Sequence, residues 1–164
     1  MIVLVDSREQ APFPFIRFNV QAERAGLPTG DYSLPGFEDK AAIERKSLDD
    51  LVSCLMGKNR DRFERELTRG KAYELFAVVC EGSYQDIAEG RYRSEMKPQA
   101  VLQSIVAFQV RYGVNFIMAG TRQAAEYLTF SLLEKFQREI EERWKALERG
   151  RKKGAAPCHD PGAS

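Results

Sequence analysis

Apolar and polar positions alternate along this chain in blocks that change period. Residues 2–5 (IVLV) are continuously apolar and give way to the polar cluster Asp6-Ser7-Arg8-Glu9. That pattern predicts a buried strand whose carboxyl end carries polar groups. Two prolines make residues 11–15 (APFPF) a loop, because each removes a ladder donor. Alternation over 16–20 (IRFNV) predicts another strand. Turn residues Gly26, Pro28 and Gly30 precede a short strand at 31–34. A PGFED turn then leads into a return strand at 40–46 (KAAIERK), which makes a hairpin.

Helical spacing follows. Ser47 is an N-cap candidate with an acid three residues on, and Leu48, Leu51, Val52 and Leu55 share one face. Asn59 is the expected cap of a next helix with Phe63 and Leu67 inward and Gly70 at its C′ position. Residues 73–82 (YELFAVVCEG) form the most hydrophobic strand candidate, expected within the sheet. Pro98 opens a helix whose core face is Val101, Leu102, Ile105, Val106 and Phe108, and Gly113 ends it. Residues 114–120 (VNFIMAG) predict a further strand. Thr121 caps a last, long helix with Ala125, Leu128, Leu132, Phe136, Ile140 and Trp144 on its apolar side. Strands first, then helices alternating with strands, predict an α/β domain with a central mixed sheet flanked by helices.

Length and composition narrow the class. The 164 residues suit one compact domain, and 43% hydrophobic content supports a core. The expected organisation is one domain over 1–148 and a disordered tail over 149–164, rich in Gly, Ala, Pro and charge. Cys54, Cys80 and Cys158 form no CxxC pair, which points to a reducing, intracellular setting, cytoplasmic in a prokaryote. The N-terminus lacks the basic region of a secretory signal, and no apolar run is long enough to span a membrane. His159, the single histidine, and Cys158 beside it do not complete a tetrahedral zinc site.

Charge is uneven although the net is +1. Residues 1–50 hold nine acids and six Lys or Arg, while 57–71 hold six Lys or Arg and three acids. An acidic head beside a basic segment suits cation chemistry next to a polyanion. Asp31 and Glu44 fall on the two arms of the hairpin, so their carboxylates converge. In a strand, Glu44 and Lys46 face one side and Arg45 the other. Phosphodiester hydrolysis needs an activated water and a neutralised anionic transition state, and a divalent cation serves both needs. A solvated charged hairpin would carry the same residues, since E-x-K alone is common. In the basic run, Lys58, Arg60 and Arg62 are candidate DNA contacts, being nearest the helix start. Arg–Glu pairing on an ordinary solvated helix is the competing reading of that run.

The full set is more specific than its parts. Asp6-Ser7-Arg8-Glu9, Gly30-Asp31, Glu44-Arg45-Lys46 and Asp50 together resemble the nuclease domain of the XPF family of structure-specific DNA endonucleases, over about residues 2–135. The resemblance implies a restriction-endonuclease-like fold. It implies Mg²⁺ or Mn²⁺ on Asp31 and Glu44, with the Arg45 main-chain carbonyl as third ligand and Lys46 as catalytic cation. Asp6, Arg8, Glu9, Arg45 and Asp50 complete the polar cluster. Branched, flapped or forked DNA is the implied substrate, in repair, recombination or replication, with homodimerisation through the nuclease domain. Many family members continue into a helix-hairpin-helix region, for which residues 149–164 leave no room; a compact stand-alone version is the expectation. An inactive DNA-binding or dimerising subunit is the alternative, which the intact acidic and ERK residues argue against.

Overall fold

The computed structural model describes residues 1–154. The apolar run folds as strand β1 (Ile2–Asp6), with Val3, Leu4 and Val5 buried. After it come β2 (Gln21–Ala25), β3 (Tyr32–Ser33) and β4 (Ala41–Lys46). Helices α1 (Leu48–Ser53) and α2 (Gly57–Gly70) lead to β5 (Leu75–Cys80). Then follow α3 (Tyr84–Ala88), α4 (Pro98–Tyr112), β6 (Asn115–Met118) and α5 (Arg122–Gly154).

The strands form one sheet in the order β2-β1-β3-β4-β5-β6. β3 is antiparallel to both its neighbours, and every other pairing is parallel. The carboxyl ends of β1, β4 and β5 therefore meet at one edge of the sheet. The lone reversed strand, β3, begins at that same edge. A mixed sheet between helical layers is the architecture expected from the sequence.

Period 2 divides the core between two faces. Ala42, Val78, Cys80 and Phe116 pack with α1, α2, α3 and α4 on one side. Val3, Val5, Tyr32, Ile43, Ala77 and Val79 pack with α5 and the 13–20 loop on the other. Ser47 caps α1 as expected, accepting the Asp50 N–H at 3.1 Å. Thr121 likewise accepts the Ala124 N–H at 3.1 Å, and Gly113 ends α4 with φ +66°.

Several expectations are corrected. Residues 16–20 are not a strand; Phe18 and Val20 instead pack against the sheet face covered by α5. The strand is the polar stretch 21–25, which pairs along β1 at the sheet edge through its main chain and leaves most side chains exposed. Asn59 does not cap α2: the N-cap is Met56, and Asn59 lies inside the helix, its amide donating to Ser53 Oγ at 3.1 Å. Gly70 is the last helical residue, required because a Cβ there would enter the Phe76 ring. Val106 is exposed, since the buried face of α4 is Val101, Ile105 and Phe108. On α5 the fully buried leucine is Leu133, with Leu132 half-buried beside it, and Trp144 is exposed. Helix-favouring Glu148, Arg149, Arg151 and Lys152 carry α5 on to Gly154, past the expected start of the tail at residue 149. The rest of the expected tail, with Cys158 and His159, lies outside the described residues.

Candidate active site

The hairpin is held tight at one residue. Gly30 has φ +78°, and a Cβ on it would stand 2.8 Å from Ala42 Cβ. Glycine thus lets the chain enter β3 hard against β4. Asp31 follows, and its N–H donates to the Ile43 carbonyl at 2.8 Å while its carbonyl accepts from Asp6 N–H at 2.8 Å. One carboxylate oxygen of Asp31 accepts the main-chain N–H of Arg45 at 2.8 Å. Three strands are thereby joined around Asp31.

Period 2 then sorts β4. Glu44 and Lys46 face the α2 side, where the Lys46 ammonium pairs with Glu44 and lies 5.4 Å from the centroid of the buried Phe63 ring. Arg45 faces the α5 side. There its guanidinium, 11% exposed, is held between Glu9 at 3.3 Å and Glu81 at 2.8 Å. Glu81 also takes Arg122 at 2.7 Å, and Arg122 reaches the carbonyls of Ala11 and Pro12. Asp6, 2% exposed, accepts from Arg8 Nε, Arg8 Nη2 and the main-chain N–H groups of Arg8 and Leu27. Arg24 of β2 clamps the turn after β1 by donating to the Asp6 and Glu9 carbonyls.

Electrostatics separate these acids. The Arg8 guanidinium and backbone donors hold the Asp6 carboxyl down to about 2. Asp31 and Glu44 are pushed well above the ordinary carboxylate range. Burial is the main cause for both. Repulsion from Glu44 adds to it at Asp31, and the charge of Glu66 and a hydrogen bond with it add at Glu44. Burial disfavours the charge on Lys46, but Glu44 and Glu66 outweigh it and raise its pKa, so the ammonium stays charged.

A cavity of about 500 Å³ opens beside this cluster. Its walls include Asp6, Arg8, Glu9, Thr29, Asp31, Glu44 and Lys46. Helix α2 supplies the opposite wall through Arg62, Glu66 and Arg69. Of the sequence candidates, Asp6, Arg8, Glu9, Asp31, Glu44, Lys46 and Arg62 therefore come together. Four do not line the cavity. The Arg45 side chain lies on the other face of the sheet. Asp50 is turned into the N-terminus of α1, where Ser47 Oγ donates to its carboxylate at 2.6 Å. Arg60 folds onto Glu64, the Leu55 carbonyl and the Phe108 ring. Lys58 is exposed and stands away from the cavity. Glu66 and Arg69 were missed as cavity residues. Their spacing of four and seven from Arg62 was the available signal, but it also describes a solvated helix face.

The donor set suits a hard divalent cation. It contains carboxylate, hydroxyl and carbonyl oxygens and no histidine or cysteine, which fits Mg²⁺ or Mn²⁺ better than Zn²⁺. Thr29, 3% exposed, lines the cavity with a buried hydroxyl that has no partner among the described residues. Among the described residues no three acidic, His or Cys side chains stand ready to enclose an ion by themselves. A cation here would rest on two carboxylates, with main-chain, water or phosphate oxygens completing its shell, the usual manner for Mg²⁺.

A family model described as the ERCC4 domain matches residues 5–132. The structure of XPF from Aeropyrum pernix superposes with a TM-score of 0.69 at 24% identity, covering 100% of this chain and 69% of that one. XPF from Aeropyrum pernix in complex with DNA superposes at 0.65 and 25% identity, covering 84% of this chain and 66% of that one. This chain thus spans about two thirds of the length of those proteins. A search of the curated proteins finds no match.

Proposed function

Since the chain belongs to the ERCC4 domain family, the nuclease domain of XPF-type proteins, we propose that it is a Mg²⁺- or Mn²⁺-dependent endonuclease cutting branched, flapped or forked DNA. The observation that carries the reading is the convergence of Asp31, Glu44 and Lys46 on one cavity at the carboxyl edge of the sheet. The retention of Asp31, Glu44 and Lys46 on one cavity supports an active enzyme over an inactive subunit.

In this reading Asp31 and Glu44 hold the cation, with the Arg45 carbonyl as a third oxygen. The bound ion supplies Lewis-acid activation of water and charge neutralisation at the scissile phosphate. Lys46 enters as an ammonium and not as a free amine, so its part is to stabilise negative charge developing on the phosphate oxygens. Arg8 has an exposed guanidinium, fixed at its base by Asp6, and can meet a flanking phosphate. Arg45, tied between Glu9 and Glu81, keeps the end of β4 rigid and so fixes the main-chain N–H that Asp31 accepts. On the helix wall, Arg62 and Arg69 contact the strand being cut.

Homodimerisation is part of the same proposal. Val106 and Val110 lie one turn apart on α4 and are exposed, as is Tyr127 on α5. Large apolar side chains repeated on one helix face suit a covered surface.

Cleavage of flap, fork and linear duplex DNA in Mg²⁺ or Mn²⁺ tests the reading. Lys46→Gln should slow cleavage by about 10²–10³-fold, as losing one preorganised transition-state donor does, with DNA affinity little changed. Equal cleavage by wild type, Asp31→Ala and Lys46→Gln would sink the site assignment.

A further inference from the structure

We propose that Arg122, the first residue of α5, is a positioning residue that sets the end of β4 for the reaction, an inference that rests on the endonuclease reading above. Its place goes against a local rule. The amino end of a helix carries partial positive charge and favours acids. The first turn of α5 has no acid and opens on an arginine instead. A residue in conflict with its own helix is held there by contacts outside it.

Those contacts lie in two other segments. Arg122 Nη1 donates to Glu81 Oε1 at 2.7 Å. Arg122 Nη2 donates to the carbonyls of Ala11 and Pro12 at 2.8 and 2.9 Å. The guanidinium also stands over the Phe13 ring, 5.0 Å from its centroid. One side chain thus joins the amino end of α5 to the residue after β5 and to the loop after β1.

Both routes lead to the hairpin. Glu81 Oε1 also accepts from Arg45 Nη1 at 2.8 Å, and the Glu81 main-chain N–H donates to the Lys46 carbonyl at 2.9 Å. Arg45 passes on to Glu9 at 3.3 Å, and Glu9 closes the ring by accepting the Ala11 N–H at 2.6 Å. On the second route, Phe13 stacks on Tyr32 with centroids 5.2 Å apart, and its N–H donates to the Tyr32 hydroxyl at 2.8 Å. Tyr32 directly follows Asp31. Two arginines and two glutamates balance in this ring, so losing Arg122 leaves two carboxylates to one guanidinium. An exposed ion pair by itself contributes little. Arg122 is partly exposed, but Arg45, Glu9 and Glu81 are largely buried and share their bonds in a network. Arg122 is not part of the cavity wall, so its effect on the reaction runs through Glu81 and Arg45.

The test uses the whole chain with Arg122→Ala, Arg122→Lys, Glu81→Ala and the double variant Arg122→Ala/Glu81→Ala. Flap cleavage in Mn²⁺ is read as kcat and KM, well below the lowest thermal midpoint. Residue-level amide hydrogen exchange is read without metal. Arg122→Ala should lower kcat about 10–100-fold, as misplacement caused from outside the reacting groups does, and leave KM for DNA unchanged. Lysine keeps the charge but not the fork, so Arg122→Lys should recover only part of the loss. The double variant should be no worse than the worse single, because both residues act through one network. Exchange should quicken about 10-fold at the Arg45 and Glu81 amides and stay the same along β1 and β2. Arg17→Gln is the control: it removes an ion pair with Glu126 from the 13–20 loop and should leave kcat unchanged. Wild-type kcat in Arg122→Ala, a raised KM in place of a lowered kcat, or an additive loss in the double variant overturns the proposal. So does an equal loss in Arg17→Gln, or exchange that quickens evenly through the sheet. If wild type itself cleaves no DNA, the endonuclease reading falls. Exchange at Arg45 and Glu81 then decides by itself whether Arg122 sets the end of β4.

Discussion

The carboxylate of Asp31 accepts the main-chain N–H of Arg45 at 2.8 Å. One hydrogen bond thus ties the start of β3 to the residue between Glu44 and Lys46. Asparagine keeps that acceptor and removes a buried charge beside Glu44. Folding raises the Asp31 pKa, so the native state holds its proton more tightly than the unfolded chain. Stability therefore falls as pH rises above the ordinary carboxylate range near 4. Metal-free Asp31→Asn should melt about 3–6 °C above wild type at pH 8, with the advantage shrinking at pH 5 and cleavage lost. Thermal melts at the two pH values decide it; a lower midpoint at pH 8 contradicts the charge argument.

Arg62 and Arg69 are seven residues apart on one helix, about 10 Å along its axis. That is about three nucleotide steps on one strand at roughly 3.4 Å each. Each alanine substitution should remove one phosphate contact and lower the slope of log affinity against log salt by about 1. Fluorescence anisotropy at several salt concentrations reads the slope. Arg60→Ala should leave it unchanged, because Arg60 is spent on Glu64 and the Leu55 carbonyl.

Gly70→Ala should destabilise the protein although it places alanine in a helix. Propensity alone favours alanine by about 1 kcal/mol. The added Cβ, however, would enter the Phe76 ring, and overpacking of this kind costs about 1–3 kcal/mol. Urea denaturation should show a net loss, partly recovered by adding Phe76→Leu.

Asp6 makes the opposite pH prediction from Asp31. Its folded pKa lies near 2, below the ordinary 3.8. Its stabilisation is complete above about pH 4 and is lost as pH falls toward 2. Because Arg8 is exposed, about 1–2 kcal/mol is expected after allowance for screening. Asp6→Asn should lose that amount at pH 7 and flatten acid unfolding between pH 4 and 2, followed by circular dichroism.

The hairpin was legible because local rules determine it. Gly30 marks the tight entry, and period 2 alone puts Glu44 and Lys46 on one side with Arg45 on the other. The helix wall was not legible. Which polar stripe of α2 faces the cavity depends on how Phe63 and Leu67 dock, and an Arg-Glu-Arg stripe reads the same in solvent. β2 was missed for a different reason: an edge strand pairs through its main chain and leaves no apolar alternation in QAERA. Asp50 was placed by motif position, whereas its hydrogen bond with Ser47 belongs to the start of α1.

The β3–β4 connection, residues 34–40, lies at the opposite end of the hairpin from Asp31 and Lys46. Pro35 and Gly36 are exposed at its tip. Lengthening a flexible loop costs only about 0.6 kcal/mol per doubling, and the close packing of Gly30 on Ala42 fixes the register from the other end. The distance in sequence between the two acids is therefore free to vary while their distance in space is not. Pro35–Gly36 is accordingly a graft point, where a fluorophore tag or a foreign binding module can be inserted without disturbing the cavity.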